Sequence, residues 1–415
     1  MAFIKPFKAL RYNDNLFAQI QNLVCPAYDI IKDDEVEFYI QKHKNNIINL
    51  EKPIGKNRYE NAAKTLDSWL NRGTLIQDNN DSIYIYNEQF EINGIKKSIS
   101  GIICLVRLEN FRNKVVFPHE KTHSNAKVDR LELLKATNCN FSPIFSIFND
   151  ETRKITNIIS EFHLQKPLTR FTDDSNVSHS LWRINDKSLI SSICEYFKNK
   201  KLYIADGHHR YETALNYKNY LQNYTSSNYS QNNSGYVMMY LVDINTPNLT
   251  ILPTHRIIKN TSNFSPDDII SKCKKSFIVK KFSIKDIELN LNFACSNGTH
   301  AIGLFFGGNN YFQLENNNLL NEVLDVDMLQ DFILGPIFNL DANNASTQNK
   351  IDYTTELNCA ISAINSGKGQ CAFLLNPTSI EQIMNKAMNF EKMPQKSTYF
   401  YPKPITGLVI NKIIN

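Results

Sequence analysis

The densest chemistry in the chain lies at Ala205-Asp206-Gly207-His208-His209-Arg210-Tyr211-Glu212-Thr213-Ala214. Lys201 to Ala205 reads as a short buried strand that stops at Asp206-Gly207, and Tyr211, Ala214, Leu215 and Leu221 begin the apolar face of a helix directly after it. Two imidazoles and a guanidinium therefore fall on the helix's opening turn, where backbone N–H groups and the positive end of the helix dipole point the same way. Gly207 lets the backbone approach a ligand closely. Arg210 can fork onto phosphate oxygens, and His208 and His209 can donate hydrogen bonds to them. Together they describe an anion site shaped for phosphate. The alternative, two histidines satisfied by nearby carboxylates at a helix start, would pack three costly polar side chains without a use for them.

A second group lies at Pro118-His119-Glu120-Lys121-Thr122-His123, ahead of Lys127-Val128-Asp129-Arg130. His119-Glu120 and His123 match the zincin spacing, in which two histidines one helical turn apart bind zinc and the glutamate activates water. That chemistry needs the five residues inside a packed helix. Here Val115, Val116, Phe117 and Pro118 precede them and no apolar face follows until Leu131, so a loop displaying His119, Glu120 and Thr122, followed by a helix opened by Asp129-Arg130, fits better. Pro26-Ala27-Tyr28-Asp29 places a phenol and a carboxylate on a Pro-stiffened turn. Leu252-Pro253-Thr254-His255-Arg256 sets another imidazole and guanidinium on a strand. Met393 to Lys403 gathers lysines (Lys396, Lys403), hydroxyls and aromatics in an extended stretch that either lines a pocket or locks the C-terminus onto the body.

The elements that must hold these residues are mixed. Arg58 to Arg72 puts Ala62, Leu66, Trp69 and Leu70 on one helical face with Gly73 at the cap. Ser82 to Ile92 and Ile95 to Val106 flank Asn93-Gly94, a hairpin signal because a type I′ turn needs two positive φ angles. Asp150 can cap a helix with Ile155, Ile158, Ile159 and Phe162 on its face. Strands are expected at 236–243, 249–258, 277–282 and 370–375, a hairpin across Gly307-Gly308, and helices at 267–273, 325–334 and 355–365; polar loops are expected at 222–234 and 316–318. Hairpins interleaved with helices predict an α+β fold of mixed sheets and packed helices. At 415 residues the chain exceeds one compact core, and we place an α+β domain carrying the site at 1–260 and a second α/β domain at 261–415, whose C-terminal segment could complete the site.

Composition removes several classes. With 42% hydrophobic and 11% aromatic residues the chain is not disordered, and 14 Gly and 14 Pro exclude a fibrous repeat. The balance of 46 Lys+Arg against 41 Asp+Glu is spread without a basic block, and no helix-turn-helix stands out, so a nucleic-acid partner is not expected. Eight scattered cysteines without a CxxC read as buried thiols of a reducing compartment. No signal-peptide h-region or membrane-spanning run is evident, which places the protein in the cytoplasm. GxxxxGK[ST] and GxSxG are both missing.

The ordered set Pro26 to Asp29, His119 to Thr122 with Asp129-Arg130, Asp206 to Ala214, Leu252 to Arg256 and Met393 to Thr398 resembles the bacterial family known as domain of unknown function 1015, over nearly the whole chain. That family label supplies no activity, and the second histidine of the zincin-like match is not part of its pattern. Asp206-Gly207-His208-His209-Arg210 is also similar to the phosphate-binding turn of the ParB and sulfiredoxin-like fold, whose members bind nucleotides there and include free-serine kinases.

This local resemblance implies that Asp206, Gly207, His208, His209 and Arg210 bind a nucleotide, ATP or ADP, while a carboxylate from elsewhere deprotonates an acceptor hydroxyl. Phosphoryl transfer asks for charge neutralisation, in-line positioning and a base. The expectation is a small-molecule kinase, acting on free serine or a similar hydroxy compound. Glu120, Asp29 and His209 are the catalytic candidates. Mg2+ would be shared by the substrate with Asp206 and Glu120, and Tyr28, His119, Thr122, Arg130, His255, Arg256 and Lys396 would contact substrate or support those that do. A phosphatase acting on a phosphate ester such as phosphoserine, and a non-enzymatic nucleotide-gated binding protein, stay open beside it.

Overall fold

The computed structural model describes residues 1–16, 19–122, 124–224, 233–262, 264–316, 323–340 and 350–414. They form two compact units. Met1–Pro118, Thr122–Leu249 and Pro402–Asn415 make the first, and His119–Lys121 with Thr250–Tyr401 make the second. The division falls at Leu249/Thr250 where 260/261 was expected, and 402–415 returns to the first unit. The reason is pairing: Thr250–Leu252 bonds to Tyr399–Tyr401, and His255–Ile258 enters the second unit's sheet.

The first unit is built on a mixed nine-stranded sheet. Its strands are β1 (Ile4–Lys5), β2 (Ile83–Ile92), β3 (Ile95–Arg107), β4 (Val116–Phe117), β5 (Ile144–Phe148), β6 (Thr169–Thr172), β7 (Ser178–Ile184), β8 (Leu202–Asp206) and β9 (Tyr236–Asp243). They run in the order β4-β8-β5-β9-β3-β2-β7-β6, with β1 paired to β3. Pairs β4-β8 and β5-β9 are parallel and the others antiparallel. The β2-β3 hairpin turns at Asn93 and Gly94, both with positive φ (51° and 77°), as that dipeptide requires.

Helices α1 (Arg58–Asn71), α2 (Ser124–Thr137), α3 (Lys154–His163), α4 (Lys187–Phe197) and α5 (His208–Tyr224) belong to the same unit. Ile155, Ile158 and Ile159 of α3, Ile190, Ile193 and Phe197 of α4, and Tyr211 and Ala214 of α5 share one core with Ile83, Ile85, Ile102 and Met239 of the sheet. Each buried Ile, Phe and Met among them contributes roughly 1.5–3 kcal/mol by leaving water. The N-cap of α3 is Arg153, without a side-chain cap bond, and Asp150 meets the first turn from outside the cap, accepting from Thr156 N–H and hydroxyl. A second core packs Leu66 and Trp69 of α1 against Leu133 of α2, Leu23, Phe141 and Ile410.

The second unit has a six-stranded sheet, all antiparallel. Its strands β10 (His255–Ile258), β11 (Ile278–Ser283), β12 (His300–Phe305), β13 (Asn310–Asn316), β14 (Ile351–Thr354) and β15 (Cys371–Leu374) lie in the order β11-β13-β12-β15-β10-β14. Helices include α6 (Pro266–Cys273), α7 (Ile287–Ser296), α8 (Leu357–Asn365) and α9 (Ile380–Met388). The single strand expected over 249–258 is two strands, because Pro253 cannot donate to a ladder and breaks it. Mixed sheets, hairpins and helices make the fold α+β, as expected.

Helix α5 runs on to Tyr224, and the remaining core of the expected 222–234 loop, at 225–232, lies outside the described residues, as do 317–322 and His123. All eight cysteines are free, with Cys25, Cys104, Cys139, Cys273 and Cys371 buried. Among the described residues no helix is long and apolar enough to cross a membrane.

Candidate phosphate site

Strand β8 ends at Asp206, and α5 begins two residues later. Gly207 between them has φ +94°, a conformation that side chains rarely adopt. A Cβ there would come within 3.0 Å of Arg210 Nε and 3.1 Å of its Cζ, so the glycine is also what lets the guanidinium fold back over the turn. The first bond along the helix runs from Tyr211 N–H to Gly207 C=O, which leaves the earlier amides directed out of its N-terminal end. His208 is buried and His209 half-buried on that first turn.

Asp206 is the hub of a charge network. Arg210 Nη2 donates to Asp206 Oδ2 (2.5 Å), and Lys403 Nζ pairs with Oδ1 of the same carboxylate. Lys403 Nζ also stands 3.5 Å from Asp29 Oδ2. The other Arg210 terminal nitrogen donates to Ser142 Oγ (3.1 Å) and Pro143 O (2.7 Å), and Ser142 Oγ donates to Glu51 Oε1 (3.0 Å). Burial alone would lower the Arg210 pKa, but Asp206, Asp29, Tyr28 and Glu51 together raise it, so the guanidinium is a permanent cation. Arg210 Nε is buried and makes no hydrogen bond among the described residues. Arg210 and Arg130 line a cavity of about 50 Å³ together with Glu51, Ser142 and Thr213.

Tyr28 and Arg130 meet through stacking, the guanidinium carbon lying 4.3 Å from the ring centroid. Burial, then Asp29, raises the Tyr28 hydroxyl well above the usual phenol range, so it stays protonated. Arg130 is tied to Asp129 (2.6 Å) and to Glu51 O (2.5 Å), which makes it a support of the turn's surroundings. Thr122 donates to Glu212 Oε2 (2.7 Å), which Lys127 Nζ also reaches (2.8 Å); its hydroxyl is committed to that carboxylate and is not shown in the Asp206 network.

The remaining sequence candidates belong to the second unit. His119 Nε2 is 3.0 Å from Thr398 Oγ1, and Glu120 Oε1 accepts from Lys396 N–H (2.9 Å). Met393 N–H bonds to His119 O (2.8 Å), so 119–121 is stitched beside 393–398 and stands outside any helix, which removes the zincin geometry. Arg256 donates to the carbonyls of Thr254 and Lys396, and its burial lowers its pKa to about 10. His255 Nδ1 accepts from Leu375 N–H (3.2 Å); burial, then Arg256, lowers it to about 4, leaving a neutral ring that cannot act as a cation at pH 7.

Asp206, Arg210 and Asp29 are thus brought together, and Lys403, from the lysine-bearing C-terminal stretch, joins them. The pairing of Asp206 with Glu120 as metal ligands does not fit. Both oxygens of Asp206 face cations and one oxygen of Glu120 is held by an amide. No group of three or more metal-ligating side chains occurs among the described residues.

A family model described as "Protein of unknown function (DUF1015)" matches residues 4–342. No curated protein matches the sequence. Among solved structures, a conserved hypothetical protein from Pyrococcus furiosus is similar at 13% identity, covering 73% of this chain and 92% of that one, with a TM-score of 0.37. A free serine kinase in complex with AMP is similar at 13% identity over 74% and 91%, TM-score 0.38. SbnI with a C-terminal truncation from Staphylococcus aureus is similar at 9% identity over 75% and 87%, TM-score 0.37. Likenesses of this degree carry no weight for the chemistry of the site.

Proposed function

The chain belongs to the DUF1015 family, whose description assigns no activity, and from its own residues we propose that it is a phosphotransferase, moving a phosphoryl group from ATP or ADP to a small hydroxy compound such as free serine. The observation that carries this reading is the turn itself. A positive-φ glycine joins a strand to the N-terminal end of a helix, with the Arg210 guanidinium folded over it. Helix dipole, outward amides and a fixed guanidinium are the parts that hold a phosphate. The motif similarity of Asp206-Gly207-His208-His209-Arg210 to free-serine kinases supports a nucleotide as its source.

In the proposed reaction Gly207 and the first-turn amides receive phosphate oxygens, with His208 and His209 beside them as further donors. Asp29 is the better candidate for the base, because its carboxylate belongs to the same charge network, whereas Glu120 is engaged with Lys396 N–H. The acceptor O–H gives its proton to Asp29 as its oxygen bonds to the terminal phosphorus. The bond from that phosphorus to the bridging oxygen breaks, and the bridging oxygen leaves with the electron pair, its charge met by Arg210 and the helix end. Magnesium would be held chiefly by the nucleotide phosphates, since no group of three or more metal-ligating side chains occurs among the described residues.

Incubating the full chain with ATP or ADP, magnesium and candidate hydroxy amino acids should yield a phosphorylated acceptor in equal amount to the nucleotide product. Hydrolysis of phosphoserine without any nucleotide would favour a phosphatase, and nucleotide binding without any product would favour a binding protein.

A further inference from the structure

Lys403 makes a contact that local sequence does not announce. Its ammonium, 8% exposed as a side chain, lies between two carboxylates of unequal standing. Asp206 is nearly as buried, and Arg210 clamps its other oxygen at 2.5 Å. Asp29 is held more loosely, at 3.5 Å, and its side chain is 24% exposed. Lys403 is delivered by a segment that the first unit grips along its length. Ile405 N–H meets Tyr86 Oη (3.4 Å), Thr406 and Cys25 exchange backbone bonds, and Thr406 Oγ1 donates to Pro26 O (3.3 Å). The same chain therefore fixes Lys403 and borders the Pro26–Asp29 turn.

Resting on the phosphotransferase reading, we propose that Lys403 is a phosphate-binding cation whose loose partner, Asp29, is exchanged for the nucleotide. A phosphate at the Gly207 turn competes with Asp29 for Lys403. Asp206, itself anchored by Arg210, keeps the ammonium in place while the exchange occurs, and Asp29, with Arg210 still acting on it but one cation fewer beside it, gains basicity and can accept the acceptor's proton. An opposite charge at short range favours the ionised carboxylate and makes it a weaker base. Drawing Lys403 away on nucleotide arrival therefore makes Asp29 a stronger base when a phosphate is present than when it is not. The exchange also adds a second protein cation, beside Arg210, to the charge neutralisation that phosphoryl transfer needs.

The exchange has a signature that a merely structural lysine would not give. Asp29→Asn removes the competitor, so the variant should bind ADP several-fold more tightly than the wild type while losing phosphotransfer. Lys403→Met should weaken ADP about tenfold or more, and Lys403→Arg should restore most of that loss. The measurement is calorimetric titration of the full chain and the three variants with ADP, alongside transfer assays.

Tighter ADP binding by Asp29→Asn, with a loss at Lys403→Met that Lys403→Arg recovers, supports the exchange. Unchanged or weaker ADP binding by Asp29→Asn overturns it, and so does an unchanged affinity in Lys403→Met. Should Lys403→Met fail to fold, the Asp29→Asn result decides alone. If the wild type itself binds no nucleotide, the phosphotransferase reading fails first. If it binds and the variants do not differ, only the exchange fails.

Discussion

The turn at Asp206–Arg210 and the stitched segment around Glu120, His255 and Arg256 use the same residue types to opposite ends. At the turn, cations face carboxylates: Arg210 and Lys403 share Asp206, and Lys403 also approaches Asp29. In the stitched segment of the second unit, Glu120, Arg256 and His255 bond to the main chain instead. Glu120 binds Lys396 N–H, Arg256 binds two carbonyls, and His255 accepts from Leu375 N–H. Side-chain ion pairs beside a helix N-terminus can be traded for a ligand's charges. Bonds to backbone groups fix a segment and are lost only when the segment moves. Residue type alone does not separate a site from a clamp; the partner does.

Four perturbations would break or sharpen this contrast. Replacing Arg210 by Ala removes the guanidinium over Gly207, with charge-assisted bonds worth about 1.5–3 kcal/mol each. Nucleotide affinity should fall roughly a hundredfold or more, read by calorimetric titration against a circular-dichroism check of the fold. An affinity within threefold of wild type would turn the proposed site into another clamp.

The second concerns pH. His255 is held neutral, its pKa lowered from 6.5 to about 4 by burial and then by Arg256. The folded state therefore binds this proton less readily than the unfolded chain. The related stability is complete above about pH 6.5 and is lost as pH falls toward 4, by on the order of 3 kcal/mol. Denaturant titrations across that window should show the loss, and His255→Asn should flatten it; a wild-type profile already flat there would remove His255 from the clamp.

Gly207→Ala comes next. The φ of +94° and the close guanidinium together should lower nucleotide affinity about fivefold or more, since a strained non-Gly residue costs about 1–3 kcal/mol. An unaltered titration would mean that the turn relaxes freely. The smallest effect is expected from Glu120→Gln, which keeps an oxygen for Lys396 N–H. Transfer rates should stay within about threefold, whereas Glu120→Ala should lower stability by about 1 kcal/mol in thermal unfolding. Loss of transfer in the Gln variant, with stability intact, would return Glu120 to the reaction as its base.

Elements with a local signal were legible from the chain. Asn93-Gly94 marked its hairpin, the Leu66/Trp69 face marked α1, and a buried run ending at Asp206-Gly207 marked the strand and helix that frame the turn. Pro253 breaks Thr250–Leu252 from His255–Ile258, although the sequence pattern alone predicts one strand across it. Longer-range features had no local signal. Nothing near 403 says that the chain leaves the second unit at Tyr401/Pro402 and brings a lysine to Asp206. Nothing near 119 says that three residues leave the first unit to pair with Met393. Neutral His255 and backbone-bound Arg256 looked like ligands because a sequence shows a side chain's charge and hides its burial.

The central claim is that phosphate binds at the Asp206–Arg210 turn. Calorimetric titration of the full chain with ATP and ADP, run beside Arg210→Ala, tests it most directly. Saturable binding in the wild type, abolished in a folded Arg210→Ala, is the predicted result; no binding in the wild type, or equal binding in both, would contradict it.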